Sequence, residues 1–398
     1  MAESPGITYH LPDREYPLGP GDPRWHAPLP SHPSPVCDAR PPSAAGESHL
    51  TLGEYFSAIA RFLARNNYRG LRRAVQMLNP ALAPGHPRKI PWQIKIVCEK
   101  HGALYHPARI RVGSPPNTLD LVVNLALSAR GREVLPREVE NLLRLELEFQ
   151  LPYLPRVFGS GEEALDDHRC VALFLGEWFS NHWEFHLARN PHTGQDGIHV
   201  WDPGRQGCFL DPLEMELLFH QAARILTCYY NPITTEQVYP WHHAAGDFLW
   251  GRDKTTGEAS VKLITVRGYQ PLLHDFPSSP TLRDVVDGLS LFLLNMSLRM
   301  RLDRCNGVGD WSWLDSAILT AVLDGFGAGL ARQCPHYGLP GELVPGLRSH
   351  LAGLALRDLR DLYQELVARV YPVGGGEQAV VLEGLDRHIH DLKCALGS

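Results

Sequence analysis

Apolar residues alternate or gather in short runs from Ile90 to about Leu210, and recur at three-and-four spacing beyond Asp211. Side chains repeat every two residues on a strand and every 3.6 on a helix, so this change of period predicts a sheet-rich stretch followed by a helix-rich one. Trp92–Cys98, Leu104–Val112, Leu119–Leu127 and Cys170–Leu175 read as strands. One helix interrupts them, opening at Pro136 and running to Phe149 with Val139, Leu142, Leu143 and Leu147 on one face. Further helices are expected over 212–230, 282–303, 312–333, 347–371 and 379–396. A hairpin of Gly246–Trp250 and Ser260–Val266 lies between the first two.

The front of the chain follows neither period. Eleven of the 33 prolines lie between Pro5 and Pro42, which predicts an extended arm over 1–48, with Tyr9, Tyr16 and Trp25 as apolar anchors. Thr51-Leu-Gly-Glu54 then forms a capping box that opens a helix carrying Tyr55, Ile59, Phe62 and Leu63. A second helical piece over Leu71–Leu78 completes a helical module spanning 49–89. The expected organisation is therefore arm 1–48, helical module 49–89, sheet-rich lobe 90–180 and helix-rich lobe 181–398 with an embedded hairpin.

Composition narrows the function classes. The 398 residues are 44% hydrophobic and 21% charged, as in an ordinary globular protein, and the net charge of −6 argues against wrapping by nucleic acid. The apolar run Leu289–Met300 is interrupted by Asn295, Ser297 and Arg299 and is too short to span a bilayer. The opening Met1-Ala-Glu-Ser-Pro5 lacks the basic and apolar regions of a secretory signal, so a cytoplasmic protein without a membrane anchor is expected. Eight cysteines show no paired spacing and read as reduced thiols, whereas 20 histidines favour metal or proton chemistry.

His242-His-Ala-Ala-Gly-Asp247-Phe-Leu-Trp250, following a long helix and opening a hairpin, resembles the His-Gly-Asp catalytic loop of the aminoglycoside and choline phosphotransferases, a branch of the protein-kinase-like fold. The order of elements over roughly 90–330 agrees with that resemblance, which implies a bilobal α+β fold. It also implies Asp247 as the carboxylate that orients or deprotonates an acceptor hydroxyl, with His243 in the same loop and ATP with Mg²⁺ as cofactors. Cys98-Glu-Lys-His-Gly102 would lie at the phosphate-covering turn, with Lys95 or Lys100 on the phosphates and Gly102 in the turn. Glu138 or Glu140 would pair with that lysine, and Phe174-Leu-Gly-Glu177-Trp-Phe179 resembles the strand entering the hinge.

Three positions depart from the family pattern. No lysine stands near Val122-Val-Asn124, the metal-binding Asn is replaced near Arg252, and the second metal carboxylate gives way to Leu263-Ile-Thr-Val-Arg267. Mg²⁺ needs oxygen ligands, so the leading expectation is a pseudokinase-like binding or scaffold protein, holding a protein partner through the arm or the interlobe cleft. The alternative is an ATP-dependent phosphotransferase or nucleotidyltransferase acting on a small molecule or protein through Asp247.

A different constellation suggests a metalloenzyme. His182, Glu184 and His186 would share one face of a strand, a donor set suited to Zn²⁺ or Fe²⁺, with His242, His243 or His274 available as a further ligand. His388-Ile-His390 reads as the exposed side of the last helix.

Overall fold

The computed structural model describes residues 5–29, 50–83, 92–99, 102, 104–166, 168–202, 207–242, 246–252, 256–307, 309–371 and 376–397. The fold is mixed α+β and divides into two compact units, one of residues 1–147 and 155–180, the other of 148–154 and 181–398.

The first unit is built on a six-stranded sheet. Its strands are β1 (Gly6–His10), β2 (Gln93–Cys98), β3 (His106–Ser114), β4 (Asn117–Ala126), β5 (Val157–Ala164) and β6 (Cys170–Glu177), in the order β1-β2-β3-β4-β6-β5. The arm expected over 1–48 thus supplies a strand: β1 runs parallel to β2, with Tyr9 opposite Ile96. Tyr9 packs edge-on against Trp25 at 5.3 Å and beside Phe56 at 5.2 Å, so these two anchors hold this part of the arm on its own unit, whereas the expected anchor Tyr16 is exposed.

Helix α1 (Leu52–Leu78) opens at the expected box, where the Glu54 amide donates to Thr51 Oγ1 and the Thr51 amide to Glu54 Oε2. Asn66, Asn67 and Tyr68 take left-handed backbone angles and break it into two arms. Tyr55, Phe56, Ile59, Phe62 and Leu63 meet Ile94, Ile96, Ile110, Val112, Leu121, Val123 and Leu173 in the core. Each such side chain contributes about 1.5–3 kcal/mol by leaving water. The inserted helix α2 (Ala129–Phe149) begins about two turns before the expected Pro136, because Ser128 Oγ accepts the Gly131 amide and starts it there. Pro136 is tolerated inside because it is exposed, where water can take the carbonyl it leaves free.

The second unit holds a five-stranded antiparallel sheet in the order β12-β11-β7-β8-β9. Its strands are β7 (His182–Arg189), β8 (Asp196–Val200), β9 (Cys208–Phe209), β11 (Phe248–Arg252) and β12 (Ala259–Leu263), with the short β10 (Glu236–Val238) and β13 (Tyr269–Pro271) paired separately. One sheet face, with Phe185, Leu187, Ile198, Val200, Phe248, Trp250, Val261 and Leu263, is buried. The helices of this unit are α3 (Pro212–Cys228), which packs on β12, and α4 (Leu282–Arg301), α5 (Ile318–Gln333), α6 (Leu343–Gly353), α7 (Leu356–Val370) and α8 (Gly376–Gly397).

Two expected helices are redrawn. Trp311–Trp313 form a strand, β15, paired with β14 (Leu302–Arg304), so α5 starts at Ile318; the Arg304 guanidinium lies 4.7 Å over the Trp311 ring. The helix expected over 347–371 breaks at Leu354, where the backbone turns extended. Among the described residues no helix is long and apolar enough to cross a membrane.

The polar interruptions of Leu289–Met300 are buried in α4; Ser297 and Arg299 have partners, whereas Asn295 Oδ1 has no hydrogen-bond partner among the described residues. Ser297 Oγ lies 2.9 Å from the Tyr363 hydroxyl and 3.2 Å from His388 Nε2, and Arg299 donates to the Tyr239 hydroxyl at 3.1 Å. His388 is therefore not on the surface as expected; it is fully buried, with Nδ1 3.2 Å from Arg301. The α8 helix presents this residue to α4 and α7, and a lone residue pair in sequence carries no sign of which helix face is covered.

Candidate functional site

The Gly-Asp motif sits at the base of the β11–β12 hairpin. Phe248 pairs with Leu263, and one step further the Ile264 amide donates to the Asp247 carbonyl at 2.8 Å. This extra rung carries the chain past β12 so that Thr265 and Arg267, two residues apart, both reach Asp247. The Thr265 hydroxyl donates to Oδ1 at 2.9 Å, and the Arg267 guanidinium straddles the carboxylate at 2.7 Å to Oδ1 and 3.2 Å to Oδ2. From the loop before it, the His242 amide donates to Oδ2 at 2.8 Å.

Oδ2 of Asp247 thus accepts two hydrogen bonds, and Oδ1 accepts one and lies in ion-pair contact with Arg267. An ionised carboxylate has about four lone-pair sites, and here three take hydrogen bonds while the guanidinium lies against the fourth side. Asp247 is completely buried, with 0% of its surface exposed. Guanidinium–carboxylate forks are among the strong charge-assisted contacts, and Asp247 is held in one that is buried. Gly246 before it has a φ of +82°, a left-handed conformation that favours glycine, and an added Cβ would lie in ordinary contact with the Glu184 carboxylate.

The remaining residues expected from the resemblance are scattered over the two units. Lys95 lies half-buried on β2 opposite Arg111, and its charge joins burial in pushing the neighbouring His10 below the ordinary imidazole range. Glu138 is buried in α2 and accepts the Tyr105 hydroxyl at 2.6 Å, whereas Glu140 is exposed. Glu177 ends β6 opposite Leu121, where its carboxylate accepts the Arg156 amide at 3.4 Å. The Gly102 amide closes a turn onto the Tyr105 carbonyl at 2.9 Å. Lys100 and His243 lie outside the described residues. Arg252, near the position of the expected metal-binding Asn, forms an ion pair with Glu214 of α3 at 2.6 Å.

His182, Glu184 and His186 do lie on one strand, β7, and alternate as expected. The strand itself separates them. At about 3.3 Å per residue, His182 and His186 are about 13 Å apart along the backbone, too far to share one ion with Glu184. Among the described residues no group of three or more His, Cys, Asp or Glu is arranged to hold a metal ion. Their neighbours are cross-strand instead: His186 faces the His199 ring at 5.4 Å and Trp201 at 4.7 Å, and His199 faces Phe209 at 5.0 Å. Burial pushes His199 below the ordinary imidazole value, as expected where an aromatic row covers the ring. Glu184 is the member of the trio brought beside the Gly246-Asp247 motif, across β11.

Sequence reasoning missed Thr265 and Arg267 as the partners of Asp247. Their signal was present: two polar residues at strand spacing directly after an apolar strand, pointing the same way.

No family model and no curated protein matches the chain. Among solved structures, it is similar to WaaP in complex with acyl carrier protein, at 12% identity and a TM-score of 0.29, covering 74% of this chain and 92% of that one. It is also similar to an apo pseudokinase, at 10% identity and a TM-score of 0.28, covering 75% of this chain and 90% of that one. The likeness to kinase-like proteins is distant, and at scores of this size the superpositions fix no residue correspondence.

Proposed function

We propose that this is a kinase-like protein that holds a protein partner and does not transfer phosphate. The observation that carries the reading is the buried carboxylate of Asp247, held by three hydrogen bonds and an ion pair from His242, Thr265 and Arg267. General-base chemistry needs a carboxylate with a lone pair directed at the acceptor proton. Thr265-Val-Arg267 supplies a hydroxyl and a cation where the phosphotransferase pattern expects a metal-binding carboxylate. That leaves the site short of the oxygen ligands that would keep Mg²⁺ beside ATP. The seven described cysteines are free thiols, which supports a reducing, cytoplasmic setting.

The test is ADP release and phosphate incorporation with Mg-ATP and candidate acceptors, run alongside thermal unfolding with and without the nucleotide. We expect turnover at the background rate in both the wild type and Asp247→Asn. Mg²⁺-dependent turnover that Asp247→Asn abolishes would overturn the reading in favour of a phosphotransferase. An ATP-induced rise in unfolding temperature without turnover would keep the reading and add nucleotide as a ligand of the folded state.

A further inference from the structure

The charge of this chain is unevenly distributed. Between Glu54 and Glu99 the sequence has eight basic residues (Arg61, Arg65, Arg69, Arg72, Arg73, Arg88, Lys89 and Lys95) and no acidic one, in a chain of net charge −6. Five of these, all arginines, fall on α1.

The two arms of α1 use their arginines differently. On the first arm, Arg61 and Arg65 serve the edge of the sheet. Arg61 donates to the Ala164 carbonyl at 2.9 Å and lies 3.5 Å from Glu163, while Arg65 pairs with Glu163 at 2.5 Å and donates to the Glu162 carbonyl. Those contacts cap carbonyls of β5, the edge strand, and are spent on the fold. Beyond the left-handed break at Asn66–Tyr68, the second arm presents Arg69, Arg72 and Arg73 within about one turn. Arg72 Nε donates to the Asn67 carbonyl at 3.0 Å. Arg69 and Arg73 are exposed, and among the described residues neither has an ion-pair partner. Their separation of four residues puts like charges on one helix face, an arrangement that destabilises a helix on its own.

We infer that this second arm of α1 is a docking surface for an acidic helical segment of a partner protein, with Arg69 and Arg73 each taking a carboxylate. The inference rests on the partner-binding reading above and adds to it a surface and a chemistry. Arg69 and Arg73 are about 6 Å apart, the spacing of glutamates at i and i+4 on a facing helix. Guanidinium forks match carboxylates bidentately. Nucleic acid fits less well, because its binding neutralises about six to ten phosphates, while this patch offers one helical turn of charge on an acidic chain.

The experiment measures binding of the full-length protein to a labelled helical peptide with glutamates paired at i and i+4. Fluorescence anisotropy is recorded across a salt series, beside a scrambled peptide and a single-stranded RNA of equal charge. We expect the paired peptide to bind best, with affinity falling as salt rises, and the double variant Arg69→Glu/Arg73→Glu to bind about tenfold more weakly. Both residues are exposed, so the variant should keep the wild-type unfolding midpoint; Arg69→Gln/Arg73→Gln, which adds no new repulsion, serves if it does not. Equal binding by wild type and both variants would overturn the proposal, as would tighter binding of the RNA or of the scrambled peptide. ATP turnover by the wild type would sink the partner-binding reading while leaving this binding result intact, so the two failures are distinguishable.

Discussion

Removing the guanidinium from the Asp247 ion pair is the most direct physical test of the site. In Arg267→Met the stem is kept and the two fork contacts at 2.7 and 3.2 Å are lost, leaving Asp247 charged and fully buried with the Thr265 hydroxyl and the His242 amide as its donors. Truncating one partner of a buried pair costs about 3–5 kcal/mol. The Arg267 side chain is 28% exposed, so water can enter where it stood. With two donors retained, the low end, about 3 kcal/mol, is expected. For a folding unit of 150–250 residues that is a fall of about 6–12 °C in Tm. Adding Asp247→Asn removes the stranded charge, so the double variant should recover part of the loss, with a coupling energy of about 1–3 kcal/mol. Urea unfolding followed by tryptophan fluorescence and thermal unfolding measure both. A single variant within about 0.5 kcal/mol of wild type would refute the claim that Arg267 is what holds the buried carboxylate.

Other features make separate predictions. His388 is pushed down to about 3 by burial and by the Arg301 charge beside it, so the folded state holds it neutral. The unfolded chain binds its proton below about pH 6.5, so stability is fully present above that pH and falls by up to about 1.4 kcal/mol per pH unit between about 6.5 and 3. His388→Gln should flatten that part of the stability–pH curve relative to wild type, and an unchanged slope would refute it. Gly246→Ala forces a Cβ into a left-handed residue 3.4 Å from the Glu184 carboxyl and should cost about 1–2 kcal/mol, measured by denaturant midpoint. Because the strain is in the backbone, Glu184→Ala should not restore it. Arg65→Ala removes one cap from the β5 edge, and the amides of Gly161–Ala164 should exchange hydrogen faster than in wild type while those of β3 stay unchanged.

Much of the fold was legible because it is local. Alternation along 92–98 and 119–127 became β2 and β4, the Thr51–Glu54 box opened α1, and the hairpin around Arg252–Gly257 formed β11 and β12. The errors came where a distant partner outweighed a local signal. Trp311–Trp313 look like the start of a helix and became a strand because β14 was there to pair with them. A proline-rich arm contributed β1 because β2 offered an unpaired edge and Phe56 a place for Tyr9.

For the site, the sequence by itself determined which chemical groups exist: an aspartate after glycine at a hairpin, no lysine on the third predicted strand, and an acid-free stretch rich in arginine. Tertiary structure alone decided what those groups touch. The rung between Asp247 and Ile264 brings Arg267 onto the Asp247 carboxylate. His182, Glu184 and His186 alternate as a metal trio would, yet an extended backbone holds them too far apart to share an ion. Periodicity records which face a residue takes, a property of the few residues around it. Whether a charge is open or paired depends on residues brought together by chain closure, and no local pattern encodes them.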